Sequence, residues 1–161
     1  MILVSACLLG HCTRYDGRHS LDEQLARRLD KEAVLALCPE TAGGLGVPRA
    51  PARFCGARPG CEGADLLAGR ARLIDANGQD VSRAFIQGAR EVLEQALAAG
   101  VRRAFLKDRS PSCGYDPAGA NPLGGVRLGV LAALLVQRGF EITEVRAPAR
   151  SDLTPLTDKV S

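Results

Sequence analysis

The sequence contains no tryptophan, and its two tyrosines and four phenylalanines bring aromatic content to only 4%. Proteins that bind nucleic acid by stacking need aromatic platforms. Charge of one sign is not in excess either. Twenty-one lysines and arginines against 18 acidic residues leave +3, and the arginines are scattered rather than gathered into a basic tract. Nucleic acid is therefore not expected as the main partner. Long hydrophobic runs are missing as well. The amino terminus, M-I-L-V-S-A-C-L-L-G, is too short to cross a membrane and lacks the basic start of a signal peptide. No membrane partner is expected, and the expected setting is cytoplasmic. In such a reducing compartment the six cysteines point to metal, catalysis or inert core rather than disulfides.

At 161 residues the chain is long enough to bury a core without staples. Residues 1–146 are expected to form one domain and residues 147–161 a tail, which carries prolines and no periodic pattern. Short apolar runs at Ile2–Ala6, Ala33–Leu37, Val101–Leu106 and Phe140–Val145 read as buried strands. Between them lie helical patterns. Ser20 is expected to cap a helix through Leu29, with Glu23 completing a capping box. Asp80 or Ser82 is expected to cap a long helix with its apolar face on Phe85, Ala89, Val92, Leu93, Ala96 and Leu97, ending at Gly100. A third helix is expected over Leu128–Gln137. The proline- and glycine-rich stretches 41–53 and 115–125 are expected loops, and Leu66–Ile74 a short hairpin. Strands alternating with helices imply an α/β fold: a single-domain three-layer sandwich with a mainly parallel sheet, Rossmann-like or flavodoxin-like.

Three of the predicted strands run out into a cysteine: Cys7, Cys38 and Cys113. Ligand crevices of open α/β sheets lie at the carboxyl ends of strands, so neighbouring strands would bring these thiols to one crevice. The third sits in Leu106–Gly114, L-K-D-R-S-P-S-C-G, where two hydroxyls, a thiol and a glycine crowd one turn beside Lys107 and Arg109. Three thiolates can hold a soft metal centre with one position left open, whether zinc or an iron-sulfur cluster, and an open position marks chemistry. Buried structural thiols are the plain alternative. Cys55 and Cys61 lack the tight spacing of common metal sites. A phosphate-cradling loop over Cys12–Arg18 has the spacing but little of the backbone freedom such a loop needs.

Several unusual words occur in order: Ser5-Ala6-Cys7-Leu8-Leu9-Gly10, Cys12, Arg14-Tyr15-Asp16-Gly17, Cys38-Pro39-Glu40, Gly43-Gly44-Leu45, Pro48-Arg49, Leu106-Lys107 and Ser110–Gly114. Together they resemble the bacterial thiouracil desulfurase family from Ile2 to about Val145. The resemblance implies a four-iron, four-sulfur cluster held by Cys7, Cys38 and Cys113, its open iron taking the sulfur of a thiolated pyrimidine or related small thiocarbonyl compound while water replaces it. It implies proton handling by Glu40 and Ser110, with Cys12, Ser112 and Lys107 in support, in a monomer or homodimer. A zinc-thiolate hydrolase and a closed-cluster redox or binding module, with Cys12 as fourth ligand, are the rival readings. The chain departs from the family's pattern at Arg53, where an acid is common, and at Arg127-Leu128-Gly129-Val130-Leu131, where G-D-G-V-T is common. These departures bear on the substrate more than on the cofactor.

Overall fold

The computed structural model describes residues 1–146; the expected tail, 147–161, lies outside the described residues. Four parallel strands, β1 (Ile2–Ser5), β2 (Val34–Leu37), β5 (Arg103–Lys107) and β6 (Glu141–Val145), form a sheet in the order β2-β1-β5-β6. Alternate residues of β1 and β5 enter opposite cores. Ile2, Val4 and Phe105 pack with Leu25 and Leu29 of the first crossover, whereas Leu3, Ala104 and Leu106 pack with the helices of the other face. Both faces of the sheet are covered, as parallel sheets require, and this gives the expected three layers.

Helix α1 (Glu23–Arg28) lies in the crossover from β1 to β2, and α5 (Val130–Gln137) in that from β5 to β6. The two crossovers leave the adjacent strands β1 and β5 in opposite directions. The gap beyond their carboxyl ends is therefore a topological switch point, where such sheets bind ligands. Opposite α1, the 17-residue α4 (Ser82–Ala98) buries Phe85, Ala89, Val92, Leu93 and Ala96. It ends as expected at Gly100, whose φ is 72°, with Val101 N–H bonded to Ala96 O at 2.9 Å and Gly100 N–H to Leu97 O at 3.1 Å. A one-turn helix, α2 (Pro39–Ala42), lies backbone to backbone against α4. A Cβ on Gly88 would strike the Pro39 carbonyl, and one on Gly43 the Ala84 carbonyl.

Several local expectations are corrected. Asp22, not Ser20, caps α1, accepting the Leu25 N–H at 2.9 Å. Ser20 is buried and accepts from Arg14 Nη1 at 2.8 Å. Val81 holds the cap position of α4, while Asp80 Oδ1 accepts the Ser82 N–H and Ser82 Oγ accepts the Leu73 N–H, each at 2.9 Å. The stretch 41–53 begins inside α2 and ends inside β3 (Ala52–Cys55). In place of a hairpin at Leu66–Ile74 there is α3 (Glu62–Leu67) followed by β4 (Arg72–Asp75), which pairs antiparallel with β3. The hairpin begins earlier in the chain than its apolar pattern suggests, because its first strand contributes only Ala52 and Phe54 to the core.

Candidate metal centre and substrate cavity

A cavity of about 920 Å³ opens at the carboxyl edge of the parallel sheet, and Cys7, Cys38 and Cys113 all line it. Each is set there by the strand behind it. Cys7 lies in a 3₁₀ turn (Ala6–Leu9) that leaves β1 and closes on Gly10, which adopts φ 92°. Cys38 follows β2 and precedes Pro39, the first residue of α2. Cys113 follows β5 in a turn closed by Gly114 N–H to Ser110 O at 2.8 Å. A side chain on Gly114 would meet the carbonyls of Val126 and Ser110 at 2.6 and 2.7 Å, so the backbone there admits only glycine.

Burial dominates the acidity of two of these thiols. It pushes Cys7 up to about 11, with Lys107 acting in the opposite direction. It raises Cys113 further still, against a hydrogen bond from Ser5 that favours the thiolate. Cys7 and Cys113 each feel the charge of Cys38. Such thiols are inert as free nucleophiles at neutral pH, but a coordinated metal deprotonates them outright. All six cysteines are free of disulfides. Among the described residues no three His, Cys, Asp or Glu side chains meet closely enough to hold a single metal ion. Three thiols on one cavity are a soft donor set, which suits an iron-sulfur cluster.

Glu40 is held from both sides. Arg49 Nε donates to its Oε1 at 3.0 Å, and Ser112 Oγ donates to its Oε2 at 3.2 Å. Arg49 is itself fixed by the carbonyls of Thr13 at 2.8 Å and Gly46 at 3.1 Å. The Thr13 carbonyl also receives the Cys38 S–H at 3.8 Å, which ties carboxylate, guanidinium and thiol into one unit. Ser110 Oγ accepts the N–H groups of Ser112 and Cys113, each at 3.1 Å, and its own O–H donates to none of the described residues. Lys107 lines the cavity with Nζ donating to the Asp108 carbonyl at 3.1 Å; burial lowers its pKa. Cys12 is exposed and does not line the cavity.

Two residues of the site escaped sequence reasoning, although both lie in the shared words. Arg49 was assigned no role, and a charged residue stranded in a proline-glycine stretch was the available signal. Ser5, buried on β1, accepts the Lys107 N–H at 3.0 Å and bonds to the Cys113 sulfur. A polar residue in an otherwise apolar strand marked it. The far wall is marked in the sequence only at Arg53. It is the β3–α3–β4 flap, which supplies Arg53, Phe54, Ala57, Pro59 and Glu62. Its loop is pinned by Asp65, 1% exposed, which accepts from Arg58 N, Nε and Nη2 at 3.0, 3.1 and 2.7 Å and from Arg70 Nε at 3.1 Å. These bonds hold the Asp65 carboxyl well below the usual carboxylate range.

Fold and site together define an open-sheet α/β protein whose switch point carries three cysteine thiols facing a walled cavity. The chain belongs to the 2-thiouracil desulfurase family, whose model matches residues 2–146. It is 37% identical over 145 residues to the uncharacterized protein YbbK of Bacillus subtilis (strain 168), covering 88% of this chain and 93% of that protein. It is also similar to the solved structure of TudS, a [4Fe-4S]-dependent thiouracil desulfidase, with 35% identity, a TM-score of 0.69 and 89% of each chain covered.

Proposed function

We propose that the protein is an iron-sulfur-dependent desulfidase that converts the thiocarbonyl of a thiolated pyrimidine, or of a related small thiocarbonyl compound, into a carbonyl. The observation that carries this reading is the meeting of Cys7, Cys38 and Cys113 on one cavity that Glu40 also lines. The three thiols would hold a four-iron, four-sulfur cluster, and the cluster dependence of TudS supports that cofactor. When bound, a cluster with one iron free of protein ligands supplies a thiophilic Lewis acid. The net change is C=S plus water to C=O plus hydrogen sulfide, with no change of oxidation state.

This chain's residues supply the proton chemistry. Arg49 and Ser112 together orient Glu40, so that its carboxylate can accept a proton from water adding at the thiocarbonyl carbon. Ser110, its lone pairs engaged by two backbone N–H groups, is left with a proton to donate toward the substrate. Phe54 and Leu123 give the cavity apolar wall that limits competing water. A closed cluster would need a fourth thiol, and Cys12 stands exposed outside the cavity lining. We place the enzyme in the cytoplasm, acting on a small thiolated molecule rather than on nucleic acid, as a monomer or homodimer. Among the described residues no helix is long and apolar enough to cross a membrane.

The test is turnover by protein purified without oxygen. Uracil and sulfide released one for one from 2-thiouracil, in proportion to bound cluster, is the expected result. Zinc in place of iron, or cluster-independent turnover, would overturn the reading.

A further inference from the structure

Loop 116–127 forms one side of the cavity, to which it supplies Leu123, Gly125, Val126 and Arg127. Its two ends are tied by backbone: the Asp116 N–H bonds to Arg127 O at 2.8 Å, Tyr115 bridges to Leu128 and Arg109 to Val126. The tip between them is held differently. Every residue of 117–125 is exposed except Asn121, which is buried and does not line the cavity. The one large apolar side chain of the tip, Leu123, anchors nothing. It is 57% exposed at the rim of the cavity and belongs to neither apolar core.

Asn121 uses its whole amide. Nδ2 donates to Asp108 Oδ2 at 2.8 Å and to Glu144 Oε1 at 3.2 Å, and Oδ1 accepts the Leu123 N–H at 3.0 Å. Chemistry fixes this orientation, since the flipped amide would aim its oxygen at two carboxylates and its NH2 at an N–H. Both carboxylates are steadied at the sheet. Asp108, buried just after β5, accepts from Arg109 Nε at 2.9 Å, and Glu144 of β6 accepts from Arg146 Nε at 2.8 Å. Among the described residues the other hydrogen bonds of the tip stay inside the loop, as with the Asp116 carboxylate, which accepts the Ala120 and Asn121 N–H groups at 2.9 and 3.0 Å. A single buried amide thus joins the tip to the parallel sheet, and it grips the backbone of Leu123.

We propose that Asn121 is a positioning residue for ligand binding: from outside the cavity its amide holds Leu123 at the rim, where Leu123 covers an apolar face of the bound molecule. A flat heterocycle offers such a face, and an apolar side chain left open beside a cavity gains burial only when the cavity fills. The proposal rests on the desulfidase reading for the identity of the ligand, and on the bonds of the loop for the positioning.

The experiment uses cluster-loaded protein prepared without oxygen and compares wild type, Asn121→Ala, Leu123→Ala and the double variant. It measures KM and kcat for 2-thiouracil and the calorimetric affinity for uracil, with iron content as the control for an intact centre. KM and the uracil Kd should each rise about tenfold in either single variant, the weight of one partly buried leucine. In Asn121→Ala, kcat and iron should hold. Because Asn121 acts through Leu123, the double variant should be no worse than Leu123→Ala alone. Hydrogen exchange should quicken at the backbone amides of 119–125 in Asn121→Ala while α5 keeps its protection. Effects that multiply in the double variant, or a loss of iron and kcat at unchanged KM in Asn121→Ala, would overturn the proposal. Leu123 lies outside both cores, so its variant decides even if Asn121→Ala fails to fold: wild-type KM and uracil affinity in Leu123→Ala would overturn it. If 2-thiouracil is not desulfurated while uracil affinity still falls in both single variants, the positioning stands and the desulfidase reading falls.

Discussion

At the carboxyl edge of the parallel sheet each cysteine follows a strand of one continuous sheet covered on both faces, whereas the flap on the far side of the cavity owes its loop geometry to one carboxylate, Asp65. Neighbouring strands constrain the first wall through continuous registers such as Ile2 to Ser5 against Val34 to Leu37. The flap is an isolated antiparallel pair, and two-stranded pairs are marginal without a partner. The proposed cluster ligands thus stand where the backbone has least freedom. The flap lines the same cavity with residues that can change singly without disturbing the sheet.

Removing a thiol from the rigid wall has the largest expected effect. Cys113→Ala should reduce iron and acid-labile sulfide from about four of each per chain to near zero, while far-UV circular dichroism keeps its helical signal. A variant that retained its full cluster would remove Cys113 from the ligand set. Next comes Glu40→Gln, for which a fall in kcat of about 10²- to 10⁴-fold is expected, the usual weight of a general base. Iron content should stay at the wild-type level. If kcat is unchanged, the Arg49–Glu40–Ser112 unit only shapes the cavity.

The flap is tested by Asp65→Asn, which leaves Arg58 and Arg70 without a charged acceptor. A fall in Tm of several degrees is expected, together with a raised KM and intact iron. The pH dependence has a definite sign. The folded carboxyl is more acidic than the unfolded one, so its stabilisation is complete above the unfolded value of about 4 and is lost as pH falls below it. The Tm difference between wild type and variant should therefore narrow progressively as pH falls below about 4, toward the folded carboxyl's own lower value. A difference that persisted at low pH would assign the effect to packing rather than charge. The smallest change is expected from Asp22→Ala at the cap of α1, about 0.5–2 kcal/mol of stability, with kcat/KM unaltered because α1 covers the face of the sheet away from α4 and α5.

The same contrast explains what could be read without coordinates. The strand exits at Cys7, Cys38 and Cys113 were legible because buried parallel strands leave dense apolar runs, and the words around them are unusual enough to signal the family. The long helix α4 and its glycine stop were legible from one amphipathic period. Ser20 was mistaken for a helix cap because a serine three residues before Glu23 looks like one; only the fold shows that Arg14 claims its hydroxyl and leaves the cap to Asp22. The flap was misplaced because β3 and β4 are four residues each, with only every second residue of β3 turned inward. Period-two signals that short do not rise above the glycine and proline around them. Pairings such as Arg49 with Glu40, nine residues apart, and Ser112 with Glu40, 72 apart, follow from tertiary closure and have no local signature.

The backbone contact between α2 and α4 reaches further than packing. Gly88 lies in the middle of a helix that supplies no side chain to the cavity, yet a single methyl group there would push on the carbonyl of Pro39, the neighbour of both Cys38 and Glu40. In a random-mutagenesis screen for lost desulfuration, Gly88 should therefore score beside the reacting groups themselves. An observer ranking positions by intolerance alone would draw the active site several residues too wide, and along the wrong helix.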